Sequence, residues 1–140
     1  MPDDDAAPPA PGPAEATIRL LIADDDTFMR AALSAGLAAD FEIVGAAADA
    51  DEAIVLAEEH RPDAAILDVD MPGGGGLRAL KEIRDRSPHT AVVVLSGDES
   101  DVVVRDMISA GAMTYVRKGA SRAELALAVR RSIAALRQDA

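Results

Sequence analysis

Five short apolar runs alternate with five segments of helical spacing along this chain. The apolar runs end at Ala23, Ala47, Leu67, Leu95 and Val116. Such alternation predicts an α/β sandwich, in which helices cover both faces of a mostly parallel sheet. A strand that is apolar at every position belongs in the middle of such a sheet, because both of its faces are covered.

The polarity of the five runs predicts the order of the strands. The first, third and fourth runs are continuously apolar, whereas Glu42 interrupts the second and Thr114 the fifth. We therefore expect the second and fifth strands at the edges. A doubly wound, five-stranded parallel sheet of flavodoxin-like order 2-1-3-4-5 satisfies this pattern. That order brings the carboxyl ends of strands one and three together.

The predicted helices have recognisable stripes and boundaries. In the first helix, Met29, Leu33 and Leu37 form one apolar line, and we expect Phe28 and Ala32 to lie beside it.

Glycines and short polar segments define the other helix boundaries. A proline and four glycines follow the third strand and predict that the next helix starts no earlier than Leu77. Residues 100–110 have the spacing of the fourth helix, and Ser121 with Glu124 forms a capping box at the start of the fifth.

Composition narrows the kind of protein. Residues 1–16 are rich in Pro, Ala and Asp without periodicity, which predicts a disordered extension before a domain at 17–140. A net charge of −11 argues against direct nucleic-acid binding, and the lack of cysteine excludes disulfides and thiolate metal sites. No apolar run approaches the roughly 18 residues of a membrane span and no signal-peptide h-region appears, so we expect a soluble cytoplasmic protein.

Charged and hydroxyl residues follow the predicted strands. Asp24 and Asp25 follow the first strand, Asp68 the third, Ser96 the fourth and Lys118 the fifth. We expect them at one edge of the sheet, where the carboxyl ends of parallel strands bind ligands. Three close carboxylates either raise a pKa or hold a cation, and their oxygens suit Mg²⁺. The set predicts a carboxylate that carries a covalent phosphoryl group beside a metal, an ammonium and a hydroxyl.

This constellation resembles the receiver domains of two-component response regulators, the CheY-like superfamily, over residues 18–136. By that resemblance Asp68 is the phosphoacceptor. The acidic pair Asp24 and Asp25 corresponds to the Mg²⁺-binding acids of the family, and Asp68 shares the metal. Asp70 falls where the family offers a backbone carbonyl to the metal.

The later strands and the loop after Asp68 continue the resemblance. Ser96 matches the family's hydroxyl residue, Lys118 its lysine and Tyr115 the aromatic switch residue in the fifth strand. The loop 71–77, with Met-Pro followed by Gly-Leu, matches as well. Gly119 departs from the family, because many members have a proline at that position.

The resemblance implies a signalling switch rather than an enzyme. A sensor histidine kinase or a phosphotransfer protein would donate a phosphoryl group to Asp68, forming an aspartyl phosphate with Mg²⁺ as cofactor. Ser96 and Tyr115 would then rearrange a face formed by the fourth helix, fifth strand and fifth helix. That face would bind a downstream effector or a dimer partner, without direct nucleic-acid or membrane contacts.

Two other functions remain open from the sequence. Asp68 and Asp70 form an Asp-x-Asp pair that a Mg²⁺-dependent phosphohydrolase uses as nucleophile and acid. The chain is also compatible with a receiver-shaped docking module that is never phosphorylated.

Single residues have simpler interpretations too: Ser96 as a turn serine, Lys118 as a solvated lysine and Tyr115 as half-buried core. Asp26 is expected only to cap the first helix.

Overall fold

A computed structural model of the protein describes residues 17–97 and 102–138. The predicted disordered extension, 1–16, and the predicted start of the fourth helix at Ser100 lie outside the described residues. Strands and helices alternate along the described chain. The strands are β1 (Arg19–Ala23), β2 (Glu42–Ala47), β3 (Ala64–Asp68), β4 (Ala91–Ser96) and β5 (Thr114–Arg117), and the helices are α1 (Thr27–Leu37), α2 (Ala50–His60), α3 (Gly75–Arg86), α4 (Val102–Ser109) and α5 (Arg122–Gln138).

The five strands form one parallel sheet in the order β2-β1-β3-β4-β5, which confirms the predicted order. Every residue of β3 and β4 is buried, whereas β2 and β5 are partly exposed. The polar interruptions therefore predicted the edge strands correctly. In the register, Ala23 pairs with Leu67 and Asp68 pairs with Leu95, so the ends of β1, β3 and β4 lie side by side.

Two apolar cores cover the two faces of the sheet. Side chains alternate between the faces along each strand, so Leu21 and Leu67 belong to one core and Ile22 and Ile66 to the other. Helices α2, α3 and α4 cover the first core, and α1 and α5 cover the second. Among the described residues, no helix combines the length and apolarity needed to cross a membrane.

The predicted position of Phe28 beside the buried stripe of α1 was wrong. Phe28 is 81% exposed and Ala32 is also exposed, whereas Leu37 is buried and Met29 and Leu33 are half-buried. Phe28 and Leu37 are nine residues apart, which at about 100° per residue puts them on opposite sides of the helix. The sheet contacts the side of Leu37, and Phe28 therefore faces away from the core.

The predicted start of the third helix at Leu77 was also wrong, because α3 begins at Gly75. The Gly76 N–H donates to the Val69 carbonyl at 2.9 Å and ties the first turn of the helix to the end of β3. A Cβ at Gly76 would overlap the Asp68 carbonyl oxygen. The glycines therefore allow α3 to start directly against the strand instead of delaying it.

Candidate functional site

The structure brings the polar residues predicted at the strand ends to one edge of the sheet. Asp24 directly follows β1, Asp68 ends β3, Ser96 ends β4 and Lys118 directly follows β5. The backbone N–H of Lys118 donates to the Ser96 carbonyl at 2.8 Å. This hydrogen bond continues the pairing of β4 and β5 beyond the last residue of β5. The site therefore forms at the point where the sheet order reverses between β1 and β3.

Three carboxylates form the centre of the site. One oxygen from each of Asp24, Asp25 and Asp68 lies within 4.8 Å of the others. Asp24 and Asp68 are buried and Asp25 is exposed. We refer to these three acids, together with Lys118, as the acidic pocket.

A buried acceptor in the acidic pocket lacks a donor. The Asp24 Oδ1 atom accepts from the Asp26 N–H at 2.9 Å, but Asp24 Oδ2 accepts no hydrogen bond from the described part of the chain. Burying an ionised oxygen without a donor is costly, and a bound cation removes that cost. Carboxylate oxygens are ligands that hard cations such as Mg²⁺ take. The residues present therefore fit a hard divalent cation.

The ammonium of Lys118 lies between the two buried acids. Its Nζ atom is 3.1 Å from Asp68 Oδ2 and 3.6 Å from Asp24 Oδ2, so it hydrogen-bonds only the first. Burial lowers the pKa of Lys118, but its contacts with Asp68 and Asp24 outweigh that effect and raise the pKa above 10.5. Lys118 is therefore charged at neutral pH.

Burial and the ammonium of Lys118 act in opposite directions on the pKa of Asp68. Burial raises its pKa, the hydrogen bond from Lys118 lowers it, and the negative charge of Asp24 raises it again. The resulting pKa is about 6, compared with the usual 3.8. One ammonium thus does not fully compensate the buried carboxylates, and a divalent cation would complete the charge balance.

Two further residues shape the loop after β1. Asp26 accepts hydrogen bonds from the Phe28 and Met29 N–H groups and caps α1, as predicted. Arg30 was not predicted to belong to the site, yet its Nη1 atom donates to the Asp24 carbonyl at 2.8 Å. The available sequence signal was a basic residue in the second turn of the helix that follows the acids.

The remaining predicted residues lie around the acidic pocket. Ser96 is buried one residue beyond Leu95, the register partner of Asp68. The Asp70 N–H donates to Asp68 Oδ1 at 3.4 Å, a long hydrogen bond. Tyr115 is 41% exposed on the edge strand β5. No finding tests the chemical roles assigned to these residues, which stay predictions.

Exposed apolar residues mark the side of the molecule formed by α4, β5 and α5. Val102 and Ile108 on α4, Tyr115 on β5 and Leu127 on α5 are all exposed. A shallow cavity of about 640 Å³ lies over β5 and α5 and includes Tyr115 and Leu127 in its lining. Phe28 on α1 and Val55 on α2 are exposed as well, so exposure alone does not identify a contact surface.

Comparison with known proteins gives one consistent result. The profile of the response regulator receiver domain matches residues 20–130. The transcriptional regulatory protein PdtaR of Mycobacterium tuberculosis is 38% identical over 121 residues, which cover 86% of this chain and 58% of PdtaR. The chain spans about half the length of the curated relatives it matches.

Solved structures show the same fold. The response regulator domain of Thermotoga maritima CheB superimposes with a TM-score of 0.78 at 29% identity, over 85% of this chain and 98% of that domain. A chain of the CheX–CheY–BeF₃–Mg²⁺ complex from Borrelia burgdorferi superimposes with a TM-score of 0.76 at 28% identity, over 84% of this chain and 90% of that chain.

Proposed function

The chain belongs to the response regulator receiver domain family of two-component systems, and on that premise we propose that it accepts a phosphoryl group on Asp68. The observation that carries the proposal is the 3.1 Å contact between Lys118 Nζ and Asp68 Oδ2 beside the undonated Asp24 Oδ2. A nucleophilic carboxylate, a fixed cation and a buried carboxylate oxygen without a hydrogen-bond donor are groups suited to phosphoryl transfer to a carboxylate.

The transfer makes one bond and breaks one. A carboxylate oxygen of Asp68 attacks the phosphorus atom, the bond from phosphorus to a histidine nitrogen of the donor breaks, and that nitrogen leaves with the electron pair. Lys118 is placed to stabilise negative charge on the phosphoryl oxygens, because its ammonium already lies against Asp68. The Ser96 hydroxyl is proposed to donate to a second phosphoryl oxygen.

Asp24, Asp25 and Asp68 are the residues that would hold Mg²⁺, with the backbone carbonyl of Asp70 as a further ligand. When bound, the ion supplies positive charge that stabilises the transferring phosphoryl group. This assignment is supported by the cluster of three carboxylates and by the Mg²⁺ and BeF₃ named in the complex of the related Borrelia protein.

The output of the switch is proposed to be a changed contact surface. Movement of Ser96 towards the phosphoryl group would leave space that Tyr115 fills, which would alter the exposed apolar surface of α4, β5 and α5. A sensor histidine kinase or phosphotransfer protein is the proposed donor, and an effector or a second receiver is the proposed partner. The cytoplasmic location predicted from the sequence belongs to this proposal.

Phosphorylation by a small phosphodonor tests the proposal. Purified protein incubated with acetyl phosphate and Mg²⁺ is expected to gain the mass of one phosphoryl group, and Asp68→Asn to gain none. Asp26→Asn is the matched control, since this acid lies at the same edge but caps α1. An unmodified wild-type protein would contradict the proposal.

The same assay separates the proposal from phosphohydrolase activity. A phosphohydrolase uses the Asp70 side chain as an acid, so Asp70→Asn would abolish its turnover. The receiver function uses only the backbone of Asp70, so this variant is expected to be phosphorylated like the wild type. Release of many phosphate ions per protein molecule from a phosphate ester would favour the hydrolase.

A further inference from the structure

Residues 69–75, which lead from β3 into the first residue of α3 and which we call the glycine loop, have an unusual backbone. Gly73, Gly74 and Gly75 follow one another with φ angles of +86°, +106° and +75°, so all three occupy the left-handed half of backbone space. Glycine loses more conformational freedom on ordering than any other residue. A run of three therefore needs external contacts to remain in one conformation.

Arg78, in the first turns of α3, supplies such contacts. Its Nη1 atom donates to the Gly73 carbonyl at 2.7 Å and to Asp51 Oδ1 on α2, also at 2.7 Å. The stem of the side chain lies over Gly74, where a Cβ would come within 2.7 Å of Arg78 Cδ. The missing side chain of Gly74 is therefore what lets Arg78 reach back across the loop.

A backbone contact fastens the same segment to α2. The Ala50 N–H, at the start of α2, donates to the Pro72 carbonyl at 3.0 Å. Arg78 and Ala50 thus hold adjacent carbonyls of the loop, and both contacts connect it to the first turn of α2. On the other side of the loop, the Gly76 N–H donates to the Val69 carbonyl at 2.9 Å, and the Asp70 N–H makes the long 3.4 Å hydrogen bond to Asp68 Oδ1.

We propose that Arg78 is a positioning residue that clamps the glycine loop and thereby fixes the Asp70 carbonyl for Mg²⁺. The part of this inference that concerns Mg²⁺ rests on the proposed function. Its physical basis is that Asp70 lies between β3 and the clamped segment, so freedom in the glycines becomes freedom in the position of its carbonyl. Groups that orient metal ligands in this way affect metal affinity without touching the ion.

The chain contains a matched control for Arg78. Arg86 lies on the same helix, and its guanidinium pairs with Glu58 of α2 at 3.3 Å and with Glu82 at 3.1 Å. The two arginine side chains are similarly exposed, at 46% and 43%. Exposed ion pairs contribute little to global stability, so Arg78→Gln and Arg86→Gln are expected to unfold at similar temperatures. They differ in that only Arg78 contacts the glycine loop.

Amide hydrogen exchange tests the clamp without any metal. In the metal-free full chain, Arg78→Gln is expected to speed exchange at the Ala50 and Gly76 amides, which donate to the Pro72 and Val69 carbonyls, by about tenfold, because local opening becomes easier. Arg86→Gln is expected to leave these amides at the wild-type rate. Equal exchange rates in both variants would overturn the clamp, whatever the protein does with Mg²⁺.

Calorimetric titration with Mg²⁺ tests the consequence for the metal. Arg78→Gln is expected to raise the dissociation constant about tenfold, within the range seen for groups that orient metal ligands. Asp51→Asn is expected to act in the same direction. It should add little in the Arg78→Gln background, because both substitutions break the same contact between Arg78 and Asp51. Arg78→Lys, which keeps the donor, should recover part of the affinity.

The outcomes separate the inference from the proposed function. If the wild type binds Mg²⁺ but Arg78→Gln and Arg86→Gln bind it equally well, the positioning role is overturned and the proposed function stands. If the wild type binds no Mg²⁺, the proposed function and the positioning role both fail. In that case the exchange rates alone still decide whether Arg78 orders the loop.

Discussion

Lys118 Nζ lies 3.1 Å from Asp68 Oδ2, although 50 residues separate the two in the chain and β4 separates their strands in the sheet. The side chain of Lys118 passes the end of β4 beside Gly97, where a Cβ would lie 3.8 Å from Lys118 Cδ. A Cβ at that distance would make only an ordinary van der Waals contact, so alanine at position 97 would also leave the lysine room to reach the acid. The contact joins β5, where the switch residue is predicted, to the predicted phosphoacceptor.

Replacing Lys118 with methionine is expected to slow phosphorylation of Asp68 by about a hundredfold, as loss of one donor in a preorganised site does. The substitution also removes the hydrogen bond that lowers the pKa of Asp68, so that pKa should rise above about 6. Rates with acetyl phosphate and an NMR titration of the Asp68 carboxyl measure the two effects. Lys81, the only other lysine, is exposed on α3, and Lys81→Met should change neither.

Asp68 is expected to make the metal-free protein less stable as the pH rises from about 4 to about 6. Its pKa is about 6 in the folded protein, compared with the usual 3.8, which we take for the unfolded chain. The folded state therefore binds more protons than the unfolded state in this pH window. The free energy of unfolding therefore falls as pH rises. The cost at pH 7 is at most about 3 kcal/mol, at roughly 1.4 kcal/mol for each unit of pKa.

The variant Asp68→Asn isolates this effect. Without metal it should unfold at higher urea concentration than the wild type at pH 7, and the two should converge near pH 4. Mg²⁺ should stabilise the wild type more than Asp68→Asn, because the variant lacks one charged ligand. Parallel stability curves for the two proteins across this pH range would contradict a raised pKa.

The sheet was predictable from sequence because its signals are local and strong. Continuous apolar runs identified β1, β3 and β4 as central strands, and Glu42 and Thr114 identified the edges. Once the order of the strands was known, parallel pairing placed Asp24, Asp68 and Lys118 at one edge without further information. The place of the site therefore followed from the fold.

Other features could not be predicted because they depend on distant contacts. The exposure of Phe28 depends on which side of α1 faces the sheet, and helical spacing placed it beside the apolar line without fixing that side. The start of α3 at Gly75 depends on the close approach of Gly76 to the Asp68 carbonyl. The contacts of Arg30 and Arg78 with backbone carbonyls leave no periodic signal, since any exposed arginine in a helix looks the same in sequence.

Tyr115 offers a direct optical test of the proposed switch. It is the only tyrosine and the chain has no tryptophan, so intrinsic fluorescence reports on this residue alone. Tyr115 is 41% exposed, and acrylamide should quench it readily in the unmodified protein. Beryllofluoride with Mg²⁺, as a mimic of the phosphoryl group, should reduce the quenching as the ring turns inward.

Ser96→Ala provides the control for this measurement. If the Ser96 hydroxyl links the phosphoryl group to Tyr115, the variant should still bind beryllofluoride but keep the quenching of the unmodified protein. Unchanged quenching in the wild type, at concentrations where calorimetry shows that beryllofluoride is bound, would argue against a switching role for Tyr115.

Gly76 and Gly36 should respond in opposite directions to substitution by alanine. A Cβ at Gly76 would overlap the Asp68 carbonyl oxygen and press on Met107 Cε at 3.0 Å, so Gly76→Ala must shift α3 or β3. We expect it to lower the free energy of unfolding by about 1–3 kcal/mol, as overpacking does, and to weaken Mg²⁺ binding because Asp68 moves.

A Cβ at Gly36, within α1, would meet nothing within 4 Å, and Gly36→Ala should stabilise the protein by about 0.5–1 kcal/mol. Urea denaturation of the two variants measures both effects, and a Gly76→Ala protein as stable as the wild type would show that β3 and α3 are not packed as described.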